Sequence, residues 1–270
     1  MAAPVQAMEA VVTAVRPAGA RDVVSLTVAG GPGTALAGAR PGQLVVVPVD
    51  PLAGRVLPEV HWLAGVSVDP VHGTSMELLL DVVRGTAPGE RMRLLGPLGS
   101  GFRAPASPVP TVLVGQGVGA VPLRWLAELL RARGCPVHVV LGADDPEQHL
   151  DLVHLRRHAR SVVLALPPDL PAAVDRVLDG EASDAAVLYA AGPVRVLRDV
   201  AARGLRRGMA VRVAALDLAT DGVVCGTGLC GTCDLPVRTT DRDGRLVERV
   251  LRPCLEGPVV PGEWLVEELR

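Results

Sequence analysis

The chain has 270 residues, 49% of them apolar, and a formal net charge of −2, so it can build several packed cores and is neither disordered nor a polyanion-binding surface. All 27 basic residues are arginines scattered among acids, and with one Phe, one Tyr and three Trp the core must be aliphatic. Met1–Ala10 carries no basic segment followed by an apolar run, and no stretch of about eighteen uninterrupted apolar residues occurs. A protein of the cytoplasm is therefore expected, touching neither membrane nor nucleic acid.

Short Val-rich runs at Ala10–Val15, Val23–Val28, Gln43–Val49, Met76–Val83 and Met92–Leu95 are separated by Gly/Pro punctuation and predict an antiparallel barrel or sandwich over residues 1–104. The Pro/Ser stretch at 104–108 marks a boundary. Beyond it, Thr111–Val114, Val137–Leu141, Val162–Leu166, Ala186–Ala190 and Ala210–Ala215 read as buried strands, alternating with helical patterns such as Val194–Arg203. A helix from Val121 is expected to bury Val121, Trp125, Leu129 and Ala132, with Gly134 at its C′ position. That alternation predicts a parallel sheet with helices on its faces over 108–215. The expected class is thus multi-domain, β followed by α/β, with a third, cysteine-rich region over 216–270.

In that last region Cys225, Cys230 and Cys233 follow the spacing C-x4-C-x2-C, and twenty residues separate Cys233 from Cys254. This is the spacing of plant-type [2Fe–2S] sites. Three thiolates from one loop must converge on a small inorganic core, and Gly226, Gly228 and Gly231 permit the tight wrapping. A hairpin of Leu235–Thr240 and Leu246–Leu251, turning at Asp243-Gly244, would return Cys254 to the level of Cys233. Zinc is the alternative, although it usually takes paired C-x2-C knuckles and only one such pair exists. Cys135 reads as a small buried residue. The six histidines form no metal-ligand set, and His154 and His158 read as part of a solvated helix face.

The loop Gly115-x-Gly117-x-x-Ala120 fits the relaxed dinucleotide pattern after a strand and before a helix, and Gly119 lies within it. Glycines there admit a pyrophosphate to the backbone, although a tight strand–helix turn requires glycine by itself. Asp144 and Asp145 end the next strand with no basic residue beside them. They suit ribose hydroxyls and repel a 2′-phosphate, favouring NAD over NADP; equally, either could cap a helix at Pro146-Glu147.

Together these segments resemble the electron-transfer subunits of two-subunit, NAD-linked dihydroorotate dehydrogenases, within the ferredoxin–NAD(P) reductase superfamily. The resemblance is carried by Pro41–Val46, by Leu95–Phe102, by Val114–Leu123, by Ala191-Gly192-Pro193, where the family usually has Cys-Gly-Pro, and by the cysteine motif. It implies a flavin-type barrel over 1–104, an NAD-binding domain over 108–215 and a [2Fe–2S] domain over 216–270. It also implies FAD, with NAD as substrate, in a hetero-oligomer with a catalytic flavoprotein subunit that carries the chemistry on dihydroorotate. Ser67, Gly85 and Thr86 match flavin-binding elements of the family, whereas Leu63–Val68 lacks its arginine and Ala87–Glu90 replaces its short helix. Arg55 or Arg84 could supply the missing charge. Two other readings stay open: a flavin-free one-electron relay, and a reductase subunit serving a hydrogenase or a sulfide-oxidising enzyme.

Overall fold

The structure is a computed structural model that describes residues 6–28, 35–48, 58–69, 71, 73–82, 85–145, 148–149, 151–218, 224–241 and 243–266. The N-terminal region is a closed antiparallel barrel of β1 (Gln6–Ala18), β2 (Arg21–Val28), β3 (Leu44–Val47), β4 (Glu59–Asp69), β5 (Gly73–Asp81) and β6 (Arg91–Leu98). Its strand order is β1-β2-β5-β4-β3-β6. Closure pairs every strand on both sides and leaves no edge. Period-two patterning selects the faces: Val24, Leu26 and Val28 of β2 point into the barrel, whereas Val23 joins a second core outside it. β3 is buried on both faces for the same reason, with Val45 and Val47 inside the barrel and Leu44 and Val46 outside.

β4 was absent from the expected strands. Its centre, Trp62 to Gly65, is buried without alternation, because a bulge between Leu63 and Gly65 shifts the register against β5. Val49, Val83, Arg55 and Arg84 lie outside the described residues.

The second region is a six-stranded sheet in the order β14-β11-β10-β7-β8-β9. Its parallel strands are β7 (Thr111–Gln116), β8 (Val137–Gly142), β9 (Ser161–Ala165), β10 (Val187–Ala191) and β11 (Ala210–Ala214). Helices α1 (Val121–Ala132) and α2 (Leu152–His158) contribute to the core on one face, and α3 (Leu170–Asp179) and α4 (Val194–Arg206) to that on the other. β7 and β8 are buried throughout, as central parallel strands must be. β9 is not: at the sheet edge its side chains stay half-covered and Leu164 is exposed, contrary to the expected buried strand.

Helix α1 also departs from expectation. Ala132 is exposed and Leu129 only half-buried; the buried face is Leu123, Leu126, Ala127 and Leu130 against the sheet, while Trp125 joins the core of the barrel. The helix is covered from two sides, so a single stripe could not describe it. It ends as the sequence predicts, with Gly134 at φ +79° and the N–H groups of Gly134 and Cys135 closing onto the carbonyls of Arg131 and Leu130. Cys135 is buried.

The only Phe and the only Tyr of the chain meet where barrel and sheet join. Phe102 and Tyr189 pack edge to face with ring centroids 5.5 Å apart, and the Tyr189 hydroxyl donates to the Arg103 carbonyl at 2.8 Å. Burial raises the Tyr189 phenol to about 12.

From β11 the chain passes through the cysteine loop, the hairpin β12 (Leu235–Thr240) and β13 (Leu246–Leu251), and the single turn α5 (Pro253–Glu256). It then returns to the sheet as β14 (Val259–Pro261), antiparallel to β11. On the way it touches the segment that closes the barrel. Ser100 N–H donates to the Gly257 carbonyl, and the Ser100 hydroxyl donates to that of Val259 at 3.0 Å.

Candidate cluster and nucleotide site

Cys225, Cys230 and Cys233 sit on the loop between β11 and β12, and Cys254 lies in the first turn of α5. None is in a disulfide. Gly226, Gly228 and Gly231 adopt φ of +70°, +74° and +72°, a backbone that would cost an L-residue roughly 1–2 kcal/mol each. Gly226 is fixed twice over, since a Cβ there would stand 2.6 Å from Cγ2 of Val46 on the barrel. The wrapped loop turns its own N–H groups inward: those of Leu229, Thr227 and Cys230 lie 3.2, 3.4 and 3.5 Å from Cys225 Sγ. Burial would raise the Cys225 thiol, but these N–H groups and the Thr227 hydroxyl outweigh it and bring the thiol down to about 6. A thiolate is the form that binds iron.

The hairpin delivers the fourth sulfur. Leu235 pairs with Leu251, which places Cys233 and Cys254 just beyond the same end of the ladder, with their sulfurs 3.3 Å apart. Burial, and then the hydrogen bond that the Cys254 thiol shares with Cys233, push the Cys254 thiol up to about 12. A cation bound between the two sulfurs would reverse that shift. All four candidate donors are thiols; two of them are in contact and backbone N–H groups meet a third, but among the described residues no three of them close around one metal position. The all-thiol donor chemistry fits a thiolate-held iron–sulfur centre. A cleft of about 340 Å³ opens beside Cys233, lined among others by Pro193, Arg195, Val224 and Thr232, so the cysteine loop faces the end of β10.

In the glycine loop the three glycines do different work. A Cβ on Gly115 would stand 2.7 Å from that of Ala120, so Gly115 lets strand and helix close up. One on Gly119 would overlap the Gly192 Cα, and this contact seats Ala191-Gly192-Pro193 against the loop. Only Gly117, at φ +56° with nothing within 4 Å of its Cβ position, leaves room for a ligand. Gly119→Ala is therefore expected to lower stability in urea unfolding by about 3 kcal/mol through a backbone overlap. Gly117→Ala should cost about 1 kcal/mol and act on nucleotide binding instead.

Asp144 and Asp145 are exposed just past β8. The expected helix at Pro146-Glu147, which either could cap, lies outside the described residues; α2, further along, is capped by Asp151, whose carboxylate accepts from the His154 N–H. His154 is not on a solvated face. It is half-buried, its ring centroid lies 4.3 Å from that of the His158 ring at a 38° tilt, and burial, then Arg124, hold it down to about 4.

The flavin-type positions are spread over the barrel. Ser67 shares a hydrogen bond with Ser75 at 3.1 Å on the outer face of β4 and β5. Ala64, where an arginine would be needed, is buried. Gly85 has φ +64° and open space at its Cβ position, and the Thr86 hydroxyl oxygen is buried with no partner among the described residues. Gly85 and Thr86 together fit an external phosphate, whereas Ala64 offers no charge to one and Ser67 is engaged with Ser75.

One cluster escaped the sequence reading. Arg124 of α1 is buried and donates to Asp151 Oδ2 at 2.7 Å, to the Ala64 carbonyl at 2.9 Å and to Glu77 Oε2 at 2.6 Å. Arg16 of β1 reaches the same Asp151 oxygen at 2.8 Å. The signal available was an arginine amid the apolar residues of α1, but its partners are remote in sequence.

A family model for the iron-sulfur cluster binding domain of dihydroorotate dehydrogenase B matches residues 222–266. The dihydroorotate dehydrogenase B (NAD(+)) electron transfer subunit of Geobacillus kaustophilus is 30% identical over 234 residues, spanning 82% of this chain and 84% of its own. The same subunit from Desulforamulus reducens is 28% identical over 188 residues, 67% and 68% of the two chains. Among solved structures, an NADH-dependent reduced ferredoxin-NADP oxidoreductase superposes with TM-score 0.68 at 19% identity, covering 94% of this chain and 88% of the other. The ferredoxin reductase in carbazole 1,9a-dioxygenase gives 0.61 at 20% identity over 77% and 68%. The structural matches establish a shared fold.

Proposed function

The chain belongs to the family of dihydroorotate dehydrogenase B (NAD(+)) electron transfer subunits, and on that premise we propose that it carries electrons between a catalytic flavoprotein subunit and NAD. The observation that supports this most directly is the cysteine constellation, with three N–H groups on Cys225 Sγ and the Cys233 and Cys254 sulfurs in contact. Cys225, Cys230, Cys233 and Cys254 would hold a [2Fe–2S] cluster. Gly85 and Thr86 would receive the phosphates of FAD, Gly117 and the N-terminus of α1 the pyrophosphate of NAD, and Asp144 or Asp145 the adenosine ribose. A bound flavin exchanges hydride with a nicotinamide and single electrons with a cluster, and so joins a two-electron carrier to a one-electron one. The chain's own part is to fix positions, since Gly119 against Gly192 seats the nucleotide loop on the sheet and Gly226 against Val46 seats the cysteine loop on the barrel. No described helix is long and apolar enough to cross a membrane, and the cytoplasm is the proposed location.

The flavin-free relay is the second reading, favoured by Ala64 in the arginine position and by the commitment of Ser67 to Ser75. Purification without oxygen separates the two. The proposal expects about two iron, two acid-labile sulfide and one acid-released FAD per chain. Iron and sulfide without flavin would establish the relay, and zinc in place of iron would overturn both.

A further inference from the structure

Gln116 ends β7 immediately before Gly117, and it is buried. Its side chain lies across the carboxyl end of the sheet. The Cβ position of Gly142, ending β8, is 3.4 Å from Gln116 Cγ, and that of Gly192, following β10, is 3.3 Å from Gln116 Cβ. Gly192 thus closes tightly on Gln116, backbone and Cβ alike, while Gly142 is in ordinary contact with its side chain, Leu170 Cδ2 at 3.1 Å being the nearer neighbour. The place is the topological switch point, where the strands run from β7 outward through β8 and β9 on one side and through β10 and β11 on the other. The Gln116 carboxamide oxygen is buried there with no hydrogen-bond partner among the described residues. A buried acceptor left unpaired is costly, and it stands beside the only open glycine of the loop.

We propose, resting on the reading that this crevice binds NAD, that the Gln116 carboxamide oxygen accepts a hydrogen bond from the nicotinamide half of the dinucleotide, from its ribose hydroxyl or its amide. The chemistry selects the partner. A phosphate offers only acceptors, which Gly117 and the N-terminus of α1 can meet with N–H groups, whereas an orphaned oxygen requires a donor. The geometry selects the half. Asp144 and Asp145 already offer acceptors past β8, while the β10 side of Gln116 leads along Gly192 and Pro193 to the cleft beside Cys233. Gln116 is thereby a positioning residue that favours a whole dinucleotide over its adenosine fragment.

The test compares wild type with Gln116→Leu, of similar volume and without the acceptor, by calorimetric titration with NADH and with ADP and by thermal unfolding without nucleotide. The expected result is an approximately tenfold rise in the Kd for NADH. The Kd for ADP should be unchanged, and the ligand-free Tm equal or higher because an unpaired buried oxygen has been removed. Unchanged NADH affinity, an equal loss for NADH and ADP, or a lowered Tm accompanying the binding loss would each overturn the assignment. Wild type that binds neither nucleotide would overturn the NAD reading itself, and Gln116's role with it.

Discussion

Replacing Arg124 with leucine is expected to destabilise the protein by about 3–5 kcal/mol. The guanidinium joins α1 and Asp151 of the nucleotide region to the Ala64 carbonyl and Glu77 of the barrel. Its removal leaves Asp151, whose side chain is 2% exposed, with the half-exposed Arg16 as its one remaining charged partner among the described residues, beside the His154 N–H. Breaking one member of a buried ion group costs more than the group contributes, because the remaining charge stays desolvated. Equilibrium urea unfolding measures the loss. Arg124→Leu combined with Asp151→Asn should recover about 1–3 kcal/mol of it relative to additivity; strict additivity would show that the two residues are not coupled.

The same cluster sets an acid dependence. Burial would raise the Asp151 carboxyl, but hydrogen bonds from Arg16 and Arg124 and their charges prevail and hold it at about 2, against an ordinary 3.8. A carboxylate depressed on folding stabilises above its unfolded value and ceases to do so as pH falls through its folded one. Wild type should therefore lose about 2 kcal/mol relative to Asp151→Asn between roughly pH 5 and pH 2. The pairwise comparison cancels acid losses common to both proteins.

Cys225→Ser is expected to abolish the iron centre. Cys225 is the sulfur that receives the loop's N–H groups, and its thiol is brought down to about 6. An alcohol in its place cannot ionise there to bind iron. Iron content and visible absorbance should fall to background, and reduction of a one-electron acceptor by NADH should drop at least about 100-fold. Hydride exchange between NADH and flavin should persist, since Gly117 and Thr86 are untouched. Full iron content in the serine variant would remove Cys225 from the ligand set.

The barrel, the parallel sheet and the cysteine motif could be read from the sequence because each is encoded locally. Alternation over β2, the unbroken apolar run of β7 and three cysteines within nine residues all fall inside one short window. What escaped is encoded at a distance. Arg124 finds its partners 27, 47 and 60 residues away, and Arg16 meets Asp151 across 135. β14, at three residues, has no periodicity to display, and the bulge in β4 erased its alternation. The loop glycines were recognisable as a set, but their separate tasks depend on neighbours such as Gly192 and Val46 that no spacing reveals.

The return of the chain as β14 has a further consequence. Ala214 of β11 is the ladder neighbour of Val259, so the cysteine loop, hairpin and α5 all hang between two adjacent antiparallel strands. In graph terms the redox module is one very long hairpin loop whose two ends are a strand spacing apart, about 5 Å. A module clipped at both feet cannot swing like a tethered carrier, so electrons must cross a gap fixed by the sheet rather than one swept by diffusion. Nor is it separable from the sheet: Leu235, Val237 and Leu251 of the hairpin are buried in the same core as α3 and α4.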